Sequence, residues 1–277
     1  LINEKKKLKE IYAKKVIESQ EIDRYTLKQI KPQSIFVYRS GNKDDLNALE
    51  GNNVWMCDPE KFNDPFECSL DIDLKHLIET GLKYDMHLKD IYCRNPFVID
   101  ELEQDENFLL YQERLSNRFM EIKHSFYIKC FSSNNQSIPM WGYYADSHKG
   151  FCIEYDFDEV FKMYGDYMFP VLYKKRFDTA TAIINDDDAI TNEWLLSCIT
   201  KSEQWEHEDE WRLLMPKIFA PGINKTADGG LLPMPQPKTV YLGCKISREL
   251  EERARACTSC KIIKGKEDKT EYKLLFS

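Results

Sequence analysis

The stretch Trp205-Glu206-His207-Glu208-Asp209-Glu210-Trp211-Arg212, followed directly by Leu213-Leu214-Met215, decides how the rest of the 277-residue chain is read. An acidic segment leading into an apolar run reads as the mouth of a strand. With a side-chain period of two, Glu208 and Glu210 then point to the same side. Like charges that close raise each other's pKa, and the two flanking tryptophans limit water and add to the effect. A site can use such a pair as one acid or base and one fixed anion. An ordinary solvated acidic loop before a strand has the same outward form.

Residues 34–38, 54–56, 126–131, 151–155, 169–174, 239–242, 261–263 and 272–276 read as further strands. Residues 4–30 carry Leu8, Ile11, Tyr12, Val16, Ile17 and Ile22 at three-to-four spacing, which predicts one amphipathic helix or a pair. Shorter helices are expected over 44–50, 139–145, 191–200 and 247–257. The charged segment 71–124, broken near Asn95-Pro96, reads as an inserted helical layer. The Gly- and Pro-rich stretch 216–237 reads as a long loop, a lid or a flap. Strands scattered among helices of unequal length predict an α+β fold on a mixed or antiparallel sheet. Residues 1–31 form an N-terminal helical segment in this reading, and residues 32–277 form a single α+β domain with a helical insertion at about 71–124.

Composition excludes several classes. A hydrophobic share of 42% with 13% aromatics describes a folded chain with an ample core. A formal charge of -8 argues against broad adhesion to nucleic acid, although basic clusters such as Lys174-Lys175-Arg176 permit a local contact. There is no run of about 18 apolar residues, so no membrane-spanning helix is expected. Lys5-Lys6-Lys7 has no apolar stretch behind it and is not a secretory signal. Of nine cysteines, Cys257 and Cys260 form one Cys-x-x-Cys pair; a zinc ribbon needs a second. The expectation is a cytoplasmic protein with reduced, mostly buried thiols and no metal. Phosphate-loop, dinucleotide-turn, nucleophile-elbow and His-Glu-x-x-His patterns are absent.

The remaining polar and aromatic candidates are spread along the chain. Arg39 closes a strand, where a guanidinium can clamp a phosphate or carboxylate, or simply face solvent. Ser132 ends another strand, to meet a ligand or start a turn. Trp141, Tyr143 and Tyr144 crowd one short helix, as a stacking platform or as core. His148-Lys149-Gly150 presents a cation beside that helix or forms a turn, and Asn63 and Asp64 are expected to brace their own turn.

Taken in order, Tyr38-Arg39-Ser40, Phe62-Asn63-Asp64-Pro65-Phe66-Glu67, Cys130-Phe131-Ser132, Met140-Trp141-Gly142-Tyr143-Tyr144-Ala145-Asp146, His148-Lys149-Gly150, Lys201, Trp205 to Arg212 and Tyr241-Leu242-Gly243 resemble a bacterial family, domain of unknown function 2971. The likeness extends over residues 34–243. A second resemblance carries an activity. An Arg closing the first strand, a strand-Phe-Ser-loop-Pro-Met-aromatic helix, and a Glu leading a late strand are similar to ADP-ribosyltransferases of the DNA-modifying bacterial toxin type. The long insertion at 71–124 departs from that pattern.

This second resemblance implies the ADP-ribosyltransferase sheet, NAD as substrate and no metal. Arg39 with its neighbour Tyr38 would hold the dinucleotide, and Ser132 with Trp141 or Tyr144 would seat the nicotinamide ribose. Glu210 would be catalytic, and Glu208 the upstream carboxylate that helps activate an acceptor. The role implied is an enzyme, a toxin or antiviral defence effector, with a protein, a nucleic acid or a small molecule as acceptor. Two alternatives stay open: a non-catalytic nucleotide- or partner-binding module, and a metal-dependent nuclease using Asp64, Glu208 and Glu210.

Overall fold

In a computed structural model, the described residues are 2–19, 21–72, 106–180, 187–220 and 223–276. Helices α1 (Ile2–Ser19) and α2 (Arg24–Ile30) lead into β1 (Ser34–Arg39), α3 (Lys43–Glu50), β2 (Asn53–Cys57) and β3 (Asp71–Ile72). Then follow α4 (Glu106–Lys123), β4 (Phe126–Ser132), α5 (Ile138–Tyr144), β5 (Phe151–Asp156), α6 (Phe157–Tyr164), β6 (Met168–Pro170), β7 (Leu172–Lys174) and β8 (Thr179–Ala180). The chain continues with α7 (Asp187–Cys198), β9 (Thr200–Ser202), β10 (Glu210–Pro216), β11 (Ile223–Thr226), β12 (Gly229–Pro233), β13 (Thr239–Leu242), α8 (Arg248–Ala256), β14 (Lys261–Glu267) and β15 (Leu274–Phe276). This is the expected α+β class. No helix among the described residues is long and apolar enough to cross a membrane.

The main sheet runs β6-β10-β4-β1-β5-β13-β14-β15, with β2, β12 and β11 branching from β4. Its pairs are antiparallel except β13 with β14. β10 pairs with β4 along its whole length, from Glu210↔Ser132 to Pro216↔Phe126. The other edge of β4 is shared. β1 touches it at Phe36↔Ser132 and β2 at Cys57↔Ile128. The sheet is therefore split between β1 and β4, and that split holds the cavity described below.

Alternation along β1 sends Ile35 and Val37 into the main core and Phe36 and Tyr38 into a smaller cluster with Met140, Trp141 and Leu274. The amphipathic spacing of α1 buries Tyr12, Ala13, Val16 and Ile17 in the same main core. The N-terminal helices are thus packed as part of the core.

Three expectations are corrected. Within the stretch 216–237, residues 223–233 are not a loop: β11 and β12 form a hairpin that joins the sheet through β2. Residues 169–174 form two strands, because Val171 donates to Glu210 while Leu172 donates to Ile199, so the chain changes partner after Pro170. Residues 71–72 pair with β8 instead of opening a helix. Of the 71–124 layer, α4 is helical as expected, whereas residues 73–105, with the break at Asn95-Pro96, lie outside the described residues.

Gly150 shows why one turn needs glycine. A Cβ there would lie 2.0 Å from the Arg39 carbonyl oxygen and 2.9 Å from Ser40 backbone atoms. Gly150→Ala is expected to push β1 from β5 at Arg39 and to cost about 1–3 kcal/mol, as overpacking does. Urea unfolding would measure it, and a midpoint equal to that of the unmodified protein would contradict the close approach.

Candidate functional site

The chain enters the site through a tightly fixed turn. Ser202 caps a short 3-10 helix over Glu203–Glu208 by accepting from Gln204 N, and the helix ends on Asp209, whose φ of 41° is left-handed. Asp and Asn tolerate that region better than most residues. Asp209 is held by Lys9 Nζ at 3.0 Å, by the Ser133 hydroxyl, and by Ser133 N donating to its carbonyl at 2.8 Å. Glu210 then starts β10. Glu208 and Glu210 are therefore not neighbours on one strand, and the period-of-two reason for their shared side fails. Their carboxylates converge nonetheless, because the left-handed residue between them turns the chain.

Both meet Lys201, whose Nζ lies 2.6 Å from Glu208 Oε2, 3.3 Å from Glu210 Oε2 and 3.0 Å from Glu67 Oε1. Arg212 completes the cluster. Its Nε donates to Glu210 Oε1 at 2.7 Å, its Nη1 to the Cys198 carbonyl at 2.6 Å, and its Nη2 approaches Glu67 Oε2 at 2.8 Å. All five side chains are buried, Arg212 completely. Three carboxylates against two cations leave one formal negative charge. The Tyr144 hydroxyl donates to Glu208 Oε1 at 2.8 Å.

The electrostatics separate the two acids. Burial raises the Glu208 pKa and Glu210 adds to the rise, against Lys201 and Tyr144. Burial would raise Glu210 too, but Arg212 and then Lys201 outweigh it and hold that carboxyl well below the usual range. The pair thus divides into a fixed anion and a more basic partner. The tryptophans do not frame both acids. Trp211 packs in the core, its ring 4.8 Å from that of Phe157, while the Trp205 ring lies 5.0 Å from Lys201 Nζ.

The cluster forms one wall of a cavity of about 210 Å³ in the split of the sheet. Tyr38, Arg39, Ser132, Tyr144, Glu208 and Glu210 all line it, together with Glu67, Lys129, Cys130 and Lys201. By alternation Arg39 and Lys129 leave their strands on the side opposite Ser132 and Glu210, and the parting of β1 and β4 lets one cavity reach both. A larger groove of about 600 Å³ under α1 is lined by Lys5, Lys6 and Lys7 and approaches Asp209, but neither of the paired glutamates.

Two expected ligand contacts are reassigned. Trp141 does not line the cavity: it is fully buried behind Tyr38, with Nε1 donating to the Asn135 carbonyl, so Tyr144 is the aromatic of that helix facing the space. The Ser132 hydroxyl donates to the Glu208 carbonyl at 2.6 Å and accepts from Asn134 N, which makes it a support of the acidic turn. Asp64 braces its own turn by accepting from Phe66 N and does not line the cavity, which leaves a three-carboxylate metal centre with Glu208 and Glu210 unsupported. His148-Lys149-Gly150 is a turn, with the His148 ring stacked on Trp141. The described cysteines are free thiols.

Sequence reading gave no role to Glu67, Lys201, Arg212, Lys129 or Lys9. A signal for Arg212 was present: period two on β10 pairs it with Glu210, opposite charges on one face. Lys9 is linked to the site through Asp209. Lys9→Met is expected to speed hydrogen exchange at the Asp209 and Glu210 amides and to cost about 1 kcal/mol, the upper range for a partly exposed pair. Unchanged exchange there would show that α1 does not hold the turn.

Residues 140–213 match the model of a family described as protein of unknown function (DUF2971). The matched segment contains Tyr144, Lys201, Glu208, Glu210 and Arg212, and leaves out Arg39, Glu67, Lys129 and Ser132. No curated protein and no solved structure matches the chain.

Proposed function

We propose that the split-sheet cavity is the catalytic cleft of an NAD-dependent ADP-ribosyltransferase-like enzyme. The observation that carries this reading is convergence: Arg39, Tyr144, Glu208 and Glu210, from separate elements, border one cavity, and β10, β4 and β1 lie side by side around it. The charge distribution supports it. One wall has a net negative charge, the other carries Arg39 and Lys129, and NAD presents a cationic nicotinamide ring and an anionic pyrophosphate.

Breaking the nicotinamide-ribose bond develops positive charge on the sugar, as in glycoside hydrolysis. Glu210, kept ionised by Arg212 and Lys201, supplies fixed negative charge beside that sugar. Glu208, more basic and tied to Tyr144, takes the proton of the attacking acceptor. Tyr144 offers a ring edge to the nicotinamide, and Arg39 meets the pyrophosphate. At about 210 Å³ the cavity is smaller than the ~300–1,000 Å³ of whole-ligand pockets, so it takes the nicotinamide-ribose end. A role as toxin or defence effector in a bacterial cytoplasm follows from the same resemblance and is part of this proposal.

Release of nicotinamide from NAD by the purified chain, with and without candidate protein and nucleic-acid acceptors, tests the reading. Expected is release that falls in Glu210→Gln. The ion pairing of Glu210 favours a second reading, a nucleotide-binding module without turnover; NAD binding with no release in any acceptor mixture would select it.

A further inference from the structure

Lys129 lies in the middle of β4 and is 6% exposed. A buried ammonium ordinarily keeps its charge through a carboxylate or several acceptors. Among the described residues its Nζ has neither a hydrogen bond nor an ion pair; it sits 5.8 Å from the Phe131 ring centre. Arg39, across the split, is in a similar condition. Its Nε is 3.6 Å from Asp45 Oδ1, but its Nη2 is buried without a hydrogen-bond partner.

Continuing the register from Phe36↔Ser132 sets Arg39 opposite Lys129, and β1 and β4 part before reaching that point. Like charges directly opposite destabilise a strand pair. The groups facing Lys129 are Arg39 from β1, Cys57 from β2, Cys130 on its own strand and Asp45 from α3. Asp45 is already engaged by the Ser40 hydroxyl and Gly41 N. Burial, and then Arg39, push the Lys129 ammonium down to about 7.

We infer that Arg39 and Lys129 together form an anion seat that takes a phosphate or pyrophosphate group. Lys129, which has no acceptor, and the free Nη2 of Arg39 are both satisfied by one multiply charged group, the guanidinium through its fork and the ammonium as a point charge. A single carboxylate would neutralise one of them. The inference deepens the proposed function by naming the ligand end that Lys129 holds. It rests on residues outside the glutamate cluster, so it can stand where turnover fails.

The test is titration calorimetry of the full chain with inorganic pyrophosphate at low salt. Lys129 is mostly neutral at pH 8, so binding there should take up a proton, read as heat that changes with the buffer's ionisation enthalpy. Affinity should fall as pH rises above about 7. Lys129→Met should weaken binding about tenfold or more, abolish the uptake and raise the melting temperature, because an unpaired buried cation has been replaced. Lys129→Arg should bind without proton uptake.

Equal affinity and equal uptake in the unmodified protein and Lys129→Met would overturn the seat, as would absence of pyrophosphate binding in all variants. ADP-ribose as a second probe separates the sources. Tighter binding than pyrophosphate assigns the seat to a nucleotide. Equal binding, with no NAD turnover but an intact Lys129 effect, keeps the seat for a free phosphate compound and removes the NAD reading.

Discussion

Replacing Arg212 with leucine is expected to lower the unfolding free energy by about 3–5 kcal/mol, the usual cost of removing one partner from a buried ion pair. Arg212 is fully buried and bonds Glu210, Glu67 and the Cys198 carbonyl at once. Leucine would leave three buried carboxylates facing Lys201 alone. Urea unfolding should show a lower midpoint with an unchanged slope.

The pH dependence separates lost charge from lost packing. Glu210 is held below its ordinary value of 4.5, so it contributes stability that is present above that pH and is lost as pH falls below it. Without Arg212 that carboxyl takes up a proton more readily, and acidification relieves the unpaired charge. The deficit of Arg212→Leu should therefore shrink as pH falls from 7 toward 4. A deficit that stays constant over that range would assign the loss to packing.

Under the proposed function, Glu210→Gln is expected to slow NAD cleavage about a hundredfold, roughly the 3 kcal/mol that a preorganised electrostatic group supplies. In the proposed reaction the carboxylate is fixed before substrate arrives and so acts on charge that develops in the transition state. kcat should fall with KM little changed. Melting temperature is the control, since glutamine also loosens Arg212. Glu208→Gln should behave differently. Burial raises the Glu208 pKa, so the rate should climb with pH through that raised value, and glutamine should remove this acid limb. A folded Glu210→Gln protein with undiminished turnover would end the proposal for that residue.

How far the site was legible depended on what each residue's signal required. Arg39, Ser132, Tyr144, Glu208 and Glu210, which line the cavity, stand out in sequence because each is at the end of a readable element or in a conspicuous acidic or aromatic group. Trp141 carried the same signal as Tyr144 on the same helix, and nothing in one dimension says which ring faces the core. Glu67 lies in the quoted Asn-Asp-Pro turn, but its partners are 134 and 145 positions away at Lys201 and Arg212. In sequence Lys129 is only a lone charge inside an apolar run.

Side-chain periodicity, a local property, is enough for the α+β class, for α1 to α5, α7 and α8, and for β1, β2, β4, β5, β10, β13, β14 and β15, whereas β3, β8, β9, β11, β12 and α6 are not among the expected elements. The sequence also singled out Tyr38, Arg39, Ser132, Tyr144, Glu208 and Glu210 of the cavity's wall. Only the tertiary structure gives those residues their partners. It turned residues 223–233 into a sheet edge, neutralised most of the acidic cluster with Lys201 and Arg212, and left Lys129 and the Arg39 Nη2 without hydrogen-bond partners in the split. Those outcomes depend on which strands pair and where they part, and charges separated by a hundred residues acquire partners through that choice alone.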